Sequence, residues 1–316
     1  VPGSDLIKEG GLFYFAYQGV ALLIVPPLIF LGVGAMTDFG PMIANPKLVI
    51  LGAGAHLGIF VALIGAKLWG FSIDESGAIG IIGGADGPMA IFVTVKLAPH
   101  LLPAISVAAY SYMALMPLIQ PPVMRLLTTK KERLITMAQP RKVTKFEKIA
   151  FPIIMSIVVN LFFPPVAPLV TMLMLGNLLK EVGVVDRLAR TAGGGLMNVI
   201  TITLTLAIGS TMTADAFLNI KTLQIVFLGL VAFVFGTASG VITAKLMNLF
   251  LKTKINPLIG SAGIASVPIA ARVSHTVANQ ENPNNYLIYQ AMGPNLAGVF
   301  GTAISGGIML ALLGVK

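Results

Sequence analysis

Asp86 is the residue of this sequence with the clearest capacity for chemistry. It stands in Ile79-Gly80-Ile81-Ile82-Gly83-Gly84-Ala85-Asp86-Gly87-Pro88-Met89-Ala90-Ile91-Phe92, a run apolar enough for a membrane yet broken by Gly84, Gly87 and Pro88. A lone charge at the bilayer centre costs about 2.5–3.5 kcal/mol on insertion scales, and irregular backbone survives there only when protein buries it or it lines a wet cavity. A functional site is expected; the alternative is a buried or loop aspartate with a structural role. A second interrupted stretch, 256–273, holds Ser266-Val267-Pro268-Ile269-Ala270-Ala271-Arg272. An arginine there pairs with Asp86, binds an anionic substrate, or snorkels to the interface.

If the two stretches meet, Asp86, Asn256, Asn295, Tyr112 and freed carbonyls near Gly84 and Gly260 supply hard oxygen ligands around one anionic group. Unwound backbone at a helix break coordinates Na⁺ or H⁺, whereas Ca²⁺ or Mg²⁺ normally wants more than one carboxylate. The set therefore favours Na⁺. Tyr112 is a hydroxyl ligand, a proton carrier or a packing residue.

The elements that hold these residues must lie in a bilayer. Of 316 residues 56% are hydrophobic and 10% charged, against about 25% charged in soluble domains, and the mean hydropathy is +0.90. Apolar runs reach helical spanning length without strand-like alternation, so the fold class is an all-α polytopic membrane protein and not a barrel. The net charge of +9 gathers between Arg125 and Lys148, where Lys130, Lys131, Arg133, Arg141, Lys142 and Lys145 face only Glu132 and Glu147. Short basic loops stay in the cytoplasm. This loop has no run of aromatics for base stacking, so no nucleic acid is expected as a partner. Without cysteine there are no disulfides or thiolate chemistry. The histidines His56, His100 and His275 lack partners at metal-ligand spacing. The start, Val1-Pro2-Gly3-Ser4, has neither an initiator Met nor a signal pattern, and the natural protein is expected to be longer there.

Spans are expected at 11–34, kinked by Pro26-Pro27, at 48–69, at 101–124, at 149–163 continuing as 166–179, at 196–212, at 223–250 and at 286–313, the last interrupted by Gly293-Pro294-Asn295. Residues 180–190 read as a charged connector. Ile82-Gly83, Ala85, Tyr112, Ala114 and Pro117 recur as Ile259-Gly260, Ala262, Tyr289, Ala291 and Pro294 at one offset of 177, in a chain with only six tyrosines. This predicts two structural repeats, 1–124 and 149–316, around a cytoplasmic loop 125–148, the second repeat with one extra span. Their discontinuous helices or re-entrant hairpins would meet near the membrane midplane, where paired breaks mark a transporter's site.

The strings Gly83-Gly84-Ala85-Asp86-Gly87-Pro88, Ala109-Tyr110-Ser111-Tyr112-Met113-Ala114-Leu115, Asn256-Pro257-Leu258-Ile259-Gly260, Ala270-Ala271-Arg272-Val273 and Ala291-Met292-Gly293-Pro294-Asn295 resemble the β subunit of the sodium-translocating, biotin-dependent decarboxylases, which act on oxaloacetate, methylmalonyl-CoA, glutaconyl-CoA or malonate. The resemblance covers nearly the whole chain. It implies a translocase in the bacterial inner membrane that decarboxylates carboxybiotin, consumes a proton and exports Na⁺. Its partners would be biotin carrier and carboxyltransferase subunits, a small single-span membrane subunit, lipid, and further copies of itself. By the same resemblance Asp86, Tyr112, Asn256 and Asn295 serve Na⁺ binding and proton delivery, and Arg272 the carboxybiotin side. The family's serine falls at Ala265 in this chain; Ser266 follows it and is the substitute binding residue, on a different helix face. The residues alone leave a Na⁺-coupled carboxylate symporter, or a structural anchor, as competing readings.

Overall fold

The structure is a computed structural model that describes residues 9–212 and 219–313. Among the described residues there are helices and turns but no strand. Six helices are long and apolar enough to cross a membrane, and seven spans result when one bent pair counts as a single crossing.

That pair is α1 (Leu12–Ala21) and α2 (Val25–Met36), joined at 74°. The break falls before Pro26-Pro27, with Leu23 left-handed, because prolines are tolerated in a first helical turn where no N–H partner is needed. Next come α3 (Pro46–Leu68), α4 (Ile73–Gly80), α5 (Gly87–Leu97) and α6 (Leu102–Leu127). After the basic loop follow α7 (Lys145–Phe162), α8 (Ala167–Val182), α9 (Asp186–Ser210), α10 (Ile220–Phe250), α11 (Ile269–Glu281) and α12 (Ile288–Leu313).

Two expectations about breaks are corrected. The charged stretch 180–190 is not a separate connector: α8 ends in left-handed Gly183, and Asp186 already opens α9, which passes through a wide turn at Ala192–Leu196. Gly193 and Gly194, without side chains, tolerate that turn; at Gly32 on α2 a β-carbon would fall 2.9 Å from the Ala192 carbonyl. Gly293-Pro294-Asn295 does not interrupt α12, which runs through Pro294 unbroken. Prolines 117, 121 and 122 likewise lie inside α6.

The real breaks are those flanking the chemistry. Between α4 and α5 the chain tightens into a 3₁₀ turn at Ile81–Gly84, passes Ala85 in the left-handed region, and restarts at Asp86 as helix cap. The second break is a 3₁₀ segment, Pro257–Gly263, followed by extended residues leading to α11. The two touch: the Ala265 N–H donates to the Gly84 carbonyl at 2.9 Å. Each is also clasped at its base. Glu75 on α4 meets His100 after α5 at 3.0 Å. Asn256 donates to the Arg133 carbonyl at 2.9 Å, and Glu281 at the end of α11 takes the Arg133 guanidinium at 2.8 Å. Arg133 lies in the basic loop 125–148. The core surrounds the breaks, with Ile59, Ile81, Ile82, Phe92 and Phe233 buried against one another.

Candidate functional site

A cavity of about 570 Å³ lies where the breaks meet, with Asp86, Tyr110, Ser266 and Arg272 in its wall and Asp38 at its rim. Asp86 is there because Gly87-Pro88 starts α5: a carboxylate at the cap accepts the free Met89 N–H, at 3.0 Å. The positive end of α5 thus holds the acid in place. Pro88 at the start of α5 has no N–H to satisfy.

Two buried oxygens in this region have no hydrogen-bond partner. Ser266 Oγ lines the cavity, and Asn295 Oδ1 sits on α12 between Met292 and Val299, which line it one turn to either side. Asn295 grips the second break from behind, its Nδ2 donating to the carbonyls of Ala262 at 2.9 Å and Ile264 at 2.6 Å. An unpartnered buried oxygen costs free energy unless something else binds it. Asp86 and the Ser266 hydroxyl share the cavity wall, whereas Asn295 is not among its lining residues.

Arg272 opens onto the same space but forms no ion pair among the described residues, so pairing with Asp86, one of its three alternatives, does not occur. Asp38 caps the short helix Gly40–Ala44 through Gly40 N–H and holds Lys148 at 2.8 Å. Burial alone would raise its pKa, but the bonds from Lys148 and Gly40 outweigh this and hold its carboxyl below the usual value.

Residues 1–313 match the family described as Na⁺-transporting oxaloacetate decarboxylase beta subunit. The chain is 57% identical to the glutaconyl-CoA decarboxylase subunit beta of Acidaminococcus fermentans, over all of this chain and 84% of that protein. It is 59% identical to the methylmalonyl-CoA decarboxylase subunit beta of Propionigenium modestum, over 97% of this chain and 78% of that one. With the oxaloacetate decarboxylase beta chain 2 of Salmonella typhi it shares 54%, over 95% and 71%. The chain belongs to this β-subunit family.

Not every residue expected at the β-subunit's site is beside Asp86. Asn256 is spent on structure: Nδ2 donates to the carbonyls of Arg133 and Ile135, and Oδ1 takes the Leu258 N–H. It stands at the base of its segment and not at the tip. Gly260 is where α10 comes closest, since a β-carbon on it would lie 2.1 Å from the Gly240 carbonyl. Tyr112 turns to the opposite side of α6, its hydroxyl donating to the Val226 carbonyl and its ring against Phe233. None of the three lines the cavity with Asp86.

Tyr110, two residues earlier, faces the cavity instead, packed so closely on Gly87 that a β-carbon there would meet the ring at 2.5 Å. The signal for it was the helical spacing of Tyr110 and Met113, which share a face that Tyr112 leaves. His56 was also missed as a structural link. Its buried ring bonds the Gly52 carbonyl and Thr302 Oγ1, and Thr302 in turn reaches the Gly84 carbonyl at 3.4 Å.

Proposed function

We propose that this chain is the membrane subunit of a Na⁺-pumping, biotin-dependent decarboxylase in a bacterial inner membrane. It removes the carboxyl group from carboxybiotin brought by a carrier subunit and moves Na⁺ outward. The observation that carries this reading is the single cavity shared by Asp86, Ser266 and Arg272 at the contact between the two breaks. Carboxybiotin supplies the driving chemistry: its N–C bond breaks, CO₂ leaves, and the ureido nitrogen keeps the electron pair and takes up one proton. Arg272 orients the anionic group from the cytoplasmic side. Asp86, with the oxygens of Ser266 and Asn295, holds Na⁺ and in exchange a proton, so that occupancy by one weakens the other. Exporting one Na⁺ against 100 mV requires about 2.3 kcal/mol plus its concentration term, which sets what the decarboxylation must supply.

We infer further that 1–124 and 149–316 are two repeats around the loop 125–148, and that their broken segments are hairpins from opposite faces of the membrane. The clasps support this: Glu75 with His100 closes one, and Arg133 of the basic loop closes the other. A carboxyltransferase, a small single-span subunit and further copies of the chain complete the proposed complex.

Replacing Asp86 by Asn is expected to abolish both Na⁺-stimulated CO₂ release from carboxylated biotin and Na⁺ uptake by inside-out vesicles. It should also remove the rise in thermal midpoint that Na⁺ gives the wild type. An Asp86→Asn protein that still pumps ends the proposal.

A further inference from the structure

A second recess, of about 530 Å³, runs beside the first between α6 and α11, and Arg272 belongs to the walls of both. Its sides are two matching stripes at four-residue spacing: Pro117, Pro121 and Arg125 on α6, and Arg272, Thr276 and Gln280 on α11. Eight residues of helix rise about 12 Å, so Arg125 and Arg272 stand that far apart in depth. Arg125 is at the end of α6 where the basic loop begins, so the recess opens toward the cytoplasm.

Neither arginine has a carboxylate partner among the described residues, and no carboxylate lines the recess. Arg125 Nη2 donates to the neutral Gln280 Oε1 at 2.7 Å across the mouth, which leaves its charge uncompensated. Exposed arginines at both ends of an acid-free channel, with proline, valine and isoleucine between, suit a ligand with an anionic head and an apolar ring body.

We propose that this recess is the route by which carboxybiotin reaches Arg272, and that Arg125 is a binding residue that takes the anionic group at the mouth. This rests on the reading that carboxybiotin is the substrate. Binding at Arg125 exchanges Gln280 for the carboxylate; the guanidinium fork then passes it to Arg272, which lines the cavity that holds Asp86.

The test uses the intact complex with free carboxylated biotin. Arg125→Gln is expected to raise KM about tenfold, the loss of one charge-assisted contact, with kcat and the half-saturating Na⁺ concentration unchanged. Arg125→Lys recovers part of the loss, because charge is kept but the fork is not. Gln280→Ala leaves KM unchanged or lower. Na⁺-dependent thermal stabilisation of Arg125→Gln, equal to wild type, shows that the variant is folded and its cation site intact. An unaltered KM in a folded Arg125→Gln protein overturns the route while leaving the decarboxylase reading in place. Absence of CO₂ release by the wild type overturns that reading itself.

Discussion

Asn295 illustrates how much one side chain does here. Its two amide hydrogens hold the carbonyls of Ala262 and Ile264, and its Oδ1 is buried and open. Asn295→Ala leaves two buried carbonyls unpaired, a loss of about 1–3 kcal/mol, and should lower the thermal midpoint and raise the Na⁺ concentration for half-stimulation together. A variant with a lower midpoint but normal Na⁺ response would restrict Asn295 to scaffolding. Next to Asp86, Ala85 holds the left-handed conformation that a residue with a β-carbon rarely adopts. The strain sits one residue from the carboxylate, where rigid surroundings enforce it.

At the scale of elements, the breaks depend on how closely helices approach them. Gly240 on α10 and Gly260 on the second break pack backbone to backbone, and a β-carbon on Gly240 would lie 2.1 Å from the Gly260 carbonyl. Gly240→Ala is therefore expected to destabilise by about 1–3 kcal/mol, measured as a fall in thermal midpoint of the solubilised protein. Gly209→Ala, with nothing within 4 Å, is the control that should not fall.

This closeness also marks what the sequence could and could not tell. Composition and the run around Asp86 revealed the helical membrane class and the first break, because local glycines, a proline and an isolated charge report local geometry. Pro294 looked like a break and is none, because α12 keeps its path where Asn295 ties it to the neighbouring segment. Asn256 and Tyr112 matched motifs, yet their partners are carbonyls of Arg133, Ile135 and Val226, more than a hundred residues away and invisible to spacing. Asp86, Ser266 and Arg272 line one cavity, where the two broken runs touch.

For the molecule as a whole, the clasps fix the ends of the two segments against the rest of the bundle. Burial pushes Glu75 toward protonation, but bonds from His100 and Ser72 and the nearby Lys221 hold it down at about 2. A depressed carboxyl stabilises the fold fully above its ordinary 4.5 and loses that contribution as pH falls toward 2. The midpoint deficit of Glu75→Gln should therefore be full at neutral pH and shrink below pH 4.5; a deficit that stayed constant into acid would mean that its charge is not what counts. The contact from Ala265 to Gly84 has an electrical side as well. Water in a recess carries the bulk potential inward, so the voltage falls across the thin partition that remains. Were water to reach both sides of that contact, an ion shifting by a few ångströms would traverse most of the field, about 2.3 kcal/mol per charge at 100 mV. Short strokes there would do the electrical work of a full crossing.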